Sequence, residues 1–184
     1  CSIDILDANA LRQRPQVTAD ALKSIPRAKF RSRIRELAGD WPVAIEFLCA
    51  WAAGSQDSCE SWSDLDIIRE SRLGEFISQE VLTLFSADEL SALVHASLLD
   101  VPDLDIIASV TGYQNDGRIL ADLAFRFKGL VDRHENRIIL QNALRIWLRD
   151  AIEAYDDQVR VALLVSMADQ CSAKGRLAEA ARLA

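Results

Sequence analysis

Only seven glycines and four prolines punctuate this chain of 184 residues. A many-stranded sandwich or barrel turns every ten residues or so and draws on glycine and proline to do it. The scarcity therefore points to long, uninterrupted elements and a mainly α fold. Half of the residues are hydrophobic and 27% are charged, too apolar a mixture for a disordered chain. Lysine and arginine number 21 against 28 acids, a formal charge of −7 that argues against a body wrapping nucleic acid. No apolar run approaches the roughly 20 residues of a bilayer span, so no membrane partner is expected. Cys1, Cys49, Cys59 and Cys171 fall outside any C-x-x-C or zinc spacing, as reduced core thiols of a cytoplasmic protein do. The chain starts without Met and stops inside the helical run from Gly175 to Ala184; we read it as a piece of a longer protein.

Along the chain, Ser2–Asp7 alternates as a short strand does, and Thr18–Ser24 reads as a short helix. A second helix starts near Pro26 and buries Phe30, Ile34 and Leu37; Arg27, Lys29, Arg31, Arg33 and Arg35 make it the one basic stripe of the protein. Asp40 stands as cap to a helix opening Trp41-Pro42, where proline's missing N–H costs nothing. That helix is apolar around most of its circumference and predicts a central place, Trp51 included. Ser61–Arg72 and Gly74–Phe85 carry further helical spacing, the latter through Phe76, Ile77, Val81, Leu84 and Phe85. Ser86 and Glu89 form a capping box. Helices follow over 86–98, 101–110 and 116–129, then two short β-type runs, 130–133 and 137–140, joined by His134-Glu135-Asn136. Three helices and a terminal hairpin are the order of a winged helix-turn-helix. Beyond it lie helices over 143–155 and 158–172 and a last one containing Ala178–Ala181, the start of a helical repeat array.

Candidate chemistry is sparse. Asp-Leu-Asp-Ile-Ile occurs twice, at 64–68 and 103–107, but both copies open helices, where acids complement the exposed amides and the positive dipole end, and neither has the glycine and distal glutamate of a calcium loop. His95 and His134 lack a Cys or Ser partner of catalytic type. No catalytic residue and no metal site is expected. The helix at 116–128 carries Arg118, Arg126 and Lys128 diluted by Asp116 and Asp122, with Phe125 and Phe127 read as buried packing residues. Three cations are few for a major-groove helix, so no direct nucleic-acid contact is expected.

Gly39-Asp40-Trp41-Pro42-Val43-Ala44, Phe76-Ile77-Ser78-Gln79-Glu80-Val81-Leu82, Leu98-Leu99 and Gly129-Leu130-Val131 follow one another in an order that resembles the middle of the large ATP-binding LuxR-type transcriptional regulators, signal-transduction ATPases similar to the maltose-regulon activator. The resemblance implies that residues 1–85 are the tail of a nucleotide-binding domain and its helical lid, 86–157 a winged helix and 158–184 the start of helical sensor repeats. It places Trp41 and Pro42 on the adenine-nucleotide side of the lid, with Asp40 where the regulators usually carry glycine. The histidine that family members carry after the wing has no counterpart here; Gln141-Asn142 stands in its place, and glutamine can hydrogen-bond but not carry a charge. No G-x-x-x-x-G-K-[ST] occurs, so the piece is expected to be no enzyme and to hold no cofactor, while ATP or ADP is implied for the full-length protein. Its partners would be the upstream ATPase domain and downstream repeats of the same protein, and a homo-oligomer when activated. The alternatives are a stand-alone helical protein-interaction domain or a winged-helix DNA binder.

Overall fold

The computed structural model describes residues 22, 25, 28–54, 62–110, 113 and 115–184. The strand expected at Ser2–Asp7, most of the helix expected at Thr18–Ser24, Pro26, Arg27, the turn after Gly54, Cys1, Cys59 and Gly112 lie outside them. Ten α-helices run through the described residues: α1 (Ala28–Ala38), α2 (Pro42–Gly54), α3 (Asp64–Glu70), α4 (Leu73–Phe76), α5 (Ala87–Ser97), α6 (Leu104–Ser109), α7 (Asp116–Arg126), α8 (Asn142–Asp150), α9 (Asp157–Ala173) and α10 (Leu177–Leu183). Between α7 and α8 come β1 (Val131–His134) and β2 (Arg137–Leu140), an antiparallel pair. The fold is mainly helical with one small sheet. No helix among the described residues is long and apolar enough to cross a membrane.

The chain parts into two compact units. One comprises residues up to Leu84 together with Gln141–Trp147; the other comprises Phe85–Leu140 together with Leu148–Ala184. Helix α8 thus gives its first six residues to one unit and its last three to the other.

In the first unit Ile34, Leu37 and Ala38 of α1 and Ala44, Ile45 and Leu48 of α2 are buried, an apolar face on each helix at helical spacing. Gly39 ends α1 in a left-handed conformation, φ 55°, its amide donating to the Arg35 carbonyl, as a helix-ending glycine does. Because α2 begins at Pro42 and the Trp41 carbonyl accepts from the Ile45 amide, Trp41 rather than Asp40 occupies the cap position. Trp51 is half-buried rather than central; its ring leans on Phe30 (centroids 5.6 Å) and Trp62 (5.5 Å). Helix α3 starts later than expected, at a capping box in which Ser63 accepts from the Asp66 amide and Asp66 reaches back to the Ser63 amide.

The single helix expected from Gly74 to Phe85 is instead three pieces. Arg72, at φ 63°, breaks the chain between α3 and α4. A π-turn over Ile77–Val81 and a 3₁₀ turn over Leu82–Leu84 then follow. The π-turn adds a residue to the cycle and rotates what comes after it: Ile77 and Val81 stay buried, while Leu84, which regular spacing would bury with them, is 55% exposed.

In the second unit the Ser86–Glu89 capping box opens α5 as its sequence predicts. Asp103 caps α6 by accepting from the Asp105 and Ile106 amides. Strands β1 and β2 pair Val131 with Leu140 through His134 with Arg137, around a two-residue turn in which Glu135 takes a left-handed backbone, φ 56°. A third extended segment lies beside β2: the Ile138 amide donates to the Pro102 carbonyl (2.8 Å) and the Leu104 amide to the Asn136 carbonyl (2.9 Å), with Asp103 bridged antiparallel to Arg137. Helices α9 and α10 pack as a helical hairpin, burying Leu163, Met167 and Cys171 of one and Ala180 and Leu183 of the other.

Candidate functional site

Two stretches that stand a hundred residues apart in sequence meet in the first unit. A Cβ placed on Gly39 would lie 2.9 Å from Gln141 Oε1, so the turn before α2 and the start of α8 touch; the glutamine end can swing aside, and it is the left-handed backbone of Gly39, φ 55°, that favours glycine there. Next to it the Asn142 side-chain amide donates to the Glu36 carbonyl (2.9 Å), satisfying one of the acceptors that the end of α1 leaves open. Arg145 donates in turn to Asn142 Oδ1 (3.0 Å). Trp41 and Pro42 follow directly on this turn. The Trp41 ring is buried, 4% exposed, and packs on Phe76 (centroids 6.3 Å), whereas Pro42 is half-buried. Trp41 therefore serves the core and Pro42 is the member of the pair with free surface. Among Gly39, Pro42, Gln141 and Asn142 nothing titrates, so the junction offers hydrogen bonds and shape but no acid–base chemistry.

The second unit holds a cluster that sequence reasoning missed. His95 of α5 is fully buried, and its Nδ1 lies 2.5 Å from Oδ2 of Asp116, the first residue of α7. With a carboxylate as its acceptor, Nδ1 carries the proton and donates. His95 Nε2 has no hydrogen-bond partner among the described residues. The ring of Tyr113 stands edge-on to the imidazole at 3.9 Å between centroids, that of Tyr155 at 6.3 Å. Burial, then Tyr155 and the Asp116 charge, push the Tyr113 phenol up from its ordinary value. The partner of His95 is an acid 21 residues downstream rather than a Cys or Ser, and in the sequence only the place of the histidine on the inner face of a helix hints at it. The pair ties α5 to α7.

Both Asp-Leu-Asp-Ile-Ile copies turn out to serve helix starts. Asp64 and Asp66 lie in the first turn of α3 and Asp103 caps α6. Burial works against the charge of Asp103, but the Ile106 amide, Lys174 and the Asp105 amide outweigh it and hold its carboxyl below the usual range. No group of three His, Cys, Asp or Glu placed to hold a metal occurs among the described residues.

One expectation about α7 is overturned. Phe125 is 86% exposed, because the buried positions of α7 are Asp116, Gly117, Leu120, Leu123 and Ala124 and Phe125 lies a further 100° round the helix from Ala124. Phe127 does pack, edge-on to Phe85 at 4.8 Å. Of the three cations on this stretch, Arg126 is occupied by Glu89 and Asp122, while Arg118 and Lys128 are exposed. No protein-family model matches the chain, and no curated protein matches it either.

Proposed function

We propose that the chain is the central region of a cytoplasmic, nucleotide-controlled bacterial transcriptional regulator, in which a helical lid, a winged helix and the first helices of a sensor array couple nucleotide state to signal sensing and self-assembly. The observation that carries this reading is the junction of Gly39–Pro42 with Gln141–Asn142. The resemblance assigns those two stretches to the same nucleotide, one as the lid proline and the other as the residue after the wing, and they are neighbours within one unit. The α5–α6–α7–β1–β2 order, with Asp103 bridged to Arg137 beside the hairpin, supports the winged-helix part, and the α9–α10 hairpin supports the repeat part.

In this reading Pro42 presents a rigid apolar surface to the base, and Gln141 offers an uncharged amide where relatives place an imidazole. Phosphate binding and any hydrolysis belong to a P-loop that these residues do not include, so the chain by itself turns over no ATP. The test is ADP affinity of the full protein carrying Pro42→Gly or Gln141→His. The first is expected to weaken binding and the second to tighten it; unchanged affinity in both would sink the reading. A second reading, DNA contact by α7 and the hairpin, draws on the exposure of Phe125 and Arg118. The engagement of Arg126 by two acids weighs against it.

A further inference from the structure

The segment joining α5 to α6, residues 98–103, is held at its start by Arg149 of α8, which donates to the Leu98 carbonyl (2.8 Å), and beyond that by two further elements of the second unit. On the helical-hairpin side, Glu179 of α10, only 9% exposed, accepts from the Asp100 amide (2.6 Å) while its carboxylate pairs with Arg176 and Arg182. Arg176 donates to the Val101 carbonyl (2.8 Å), Arg182 pairs with the Asp100 side chain, and Lys174 reaches Asp103 Oδ1 (3.3 Å). On the sheet side, the Pro102 carbonyl accepts from Ile138 and the Leu104 amide donates to Asn136. Asn136 Nδ2 also lies 3.4 Å from Asp103 Oδ1.

We infer that this loop is a mechanical link through which the α9–α10 hairpin sets the hold of the loop on β2. A buried carboxylate keeps its place only with its full set of partners, so Glu179, its two arginines and the Asp100 amide move together, and the loop follows α10. The same Asp103 oxygen serves Lys174, Asn136 and the two cap amides of α6. Four donors share one oxygen with two lone pairs, so withdrawing Lys174 changes how firmly Asn136 and the start of α6 are held. Displacing the helical hairpin therefore loosens the third extended segment from β2 while the β1–β2 pairing stays. The use of this link, carrying a signal from the sensor helices to the winged helix, rests on the reading proposed above; the link itself does not.

Residue-resolved hydrogen exchange of the whole chain tests it. Glu179→Ala is expected to speed exchange of the Leu104 and Ile138 amides on the order of tenfold relative to the rest of the chain, the exchange equivalent of a lost charged hydrogen bond. Lys174→Met should do so more weakly, and it carries the test if Glu179→Ala fails to fold. Arg160→Ala, which removes a cation of α9 that pairs with Glu153 and Asp157, should leave both amides unchanged. Acceleration at Leu104 and Ile138 no greater than elsewhere in the folded variants would overturn the link. Nucleotide affinity does not enter this readout, so a failed ADP experiment and a failed exchange experiment remain separate results.

Discussion

The two units are held together by different physics. In the first, rings and close approaches dominate the interior, Phe30 with Trp51 and Trp62, Trp41 and Phe47 with Phe76, and Trp147 against Gly74, where an added Cβ would come 2.5 Å from the indole, while the long-range ion pair of Arg33 with Asp64 (2.9 Å) stays only part-buried. In the second, charge goes inside: His95 with Asp116, and Glu179 with its arginines and a backbone amide. Ring packing is tolerant of direction and loses stability in proportion to the area removed. A buried charge depends on particular partners and penalises the loss of any one of them. The second unit is accordingly the one in which a single polar substitution should do most harm.

Asp116→Ala sharpens the comparison most. It leaves the His95 Nδ1 proton buried without an acceptor and should cost about 1–3 kcal/mol in a urea titration. The paired change His95→Leu with Asp116→Ala should cost clearly less than the sum of the singles; strict additivity would mean that the pair is not coupled. Gly74→Ala comes next: the indole of Trp147 must shift, at about 1–3 kcal/mol, with a change in tryptophan emission. Trp51→Ala belongs with it, since a half-buried ring should fall short of the about 3–5 kcal/mol of a fully buried aromatic. A loss at or above that range would place Trp51 deeper than its described exposure.

Acid provides a subtler break. The folded carboxyl of Asp103 is held below its ordinary value, so its contribution to stability is fully present above the unfolded pKa of about 3.9. That contribution falls away as pH drops through the lower folded value. Asp103→Asn should remove this part of the acid limb from the pH–stability curve and leave the slope above about pH 5 unchanged. The smallest effect is expected at Phe125→Ser, within about 0.5 kcal/mol, because the ring is exposed. The same face should bind labelled duplex DNA negligibly at physiological salt. Tight, salt-sensitive binding lost with Arg118→Ala would instead make it a DNA surface.

Much of the helical framework was legible because its signals are local. Ser63 with Asp66 and Ser86 with Glu89 stand three residues apart, and the hairpin announces itself by two β-type runs around one short turn. What escaped depended on helix phase or on distance. Phe125 reads as core because aromatic side chains usually pack, yet one position of helical rotation past Ala124 carries it to solvent. Leu84 was lost at a π-turn that leaves no mark in spacing. The junction at Gly39 and Gln141 was legible only as two separate stretches, each singled out by resemblance; nothing in either stretch says that they touch. His95 and Asp116 were each visible as residues and invisible as a pair.

The allotment of α8 to both units bears on the order in which the protein can form on the ribosome. Residues up to Leu84 emerge first, yet the first unit also needs Gln141–Trp147, including the Trp147 ring that covers Gly74. Synthesis proceeds at about 5–20 residues per second, so the early helices wait several seconds with that surface uncovered while the intervening residues, which belong to the other unit, are made. A nascent chain stalled before Gln141 should therefore be sensitive to protease across α3 and α4, and one stalled after α8 has cleared the exit tunnel should not.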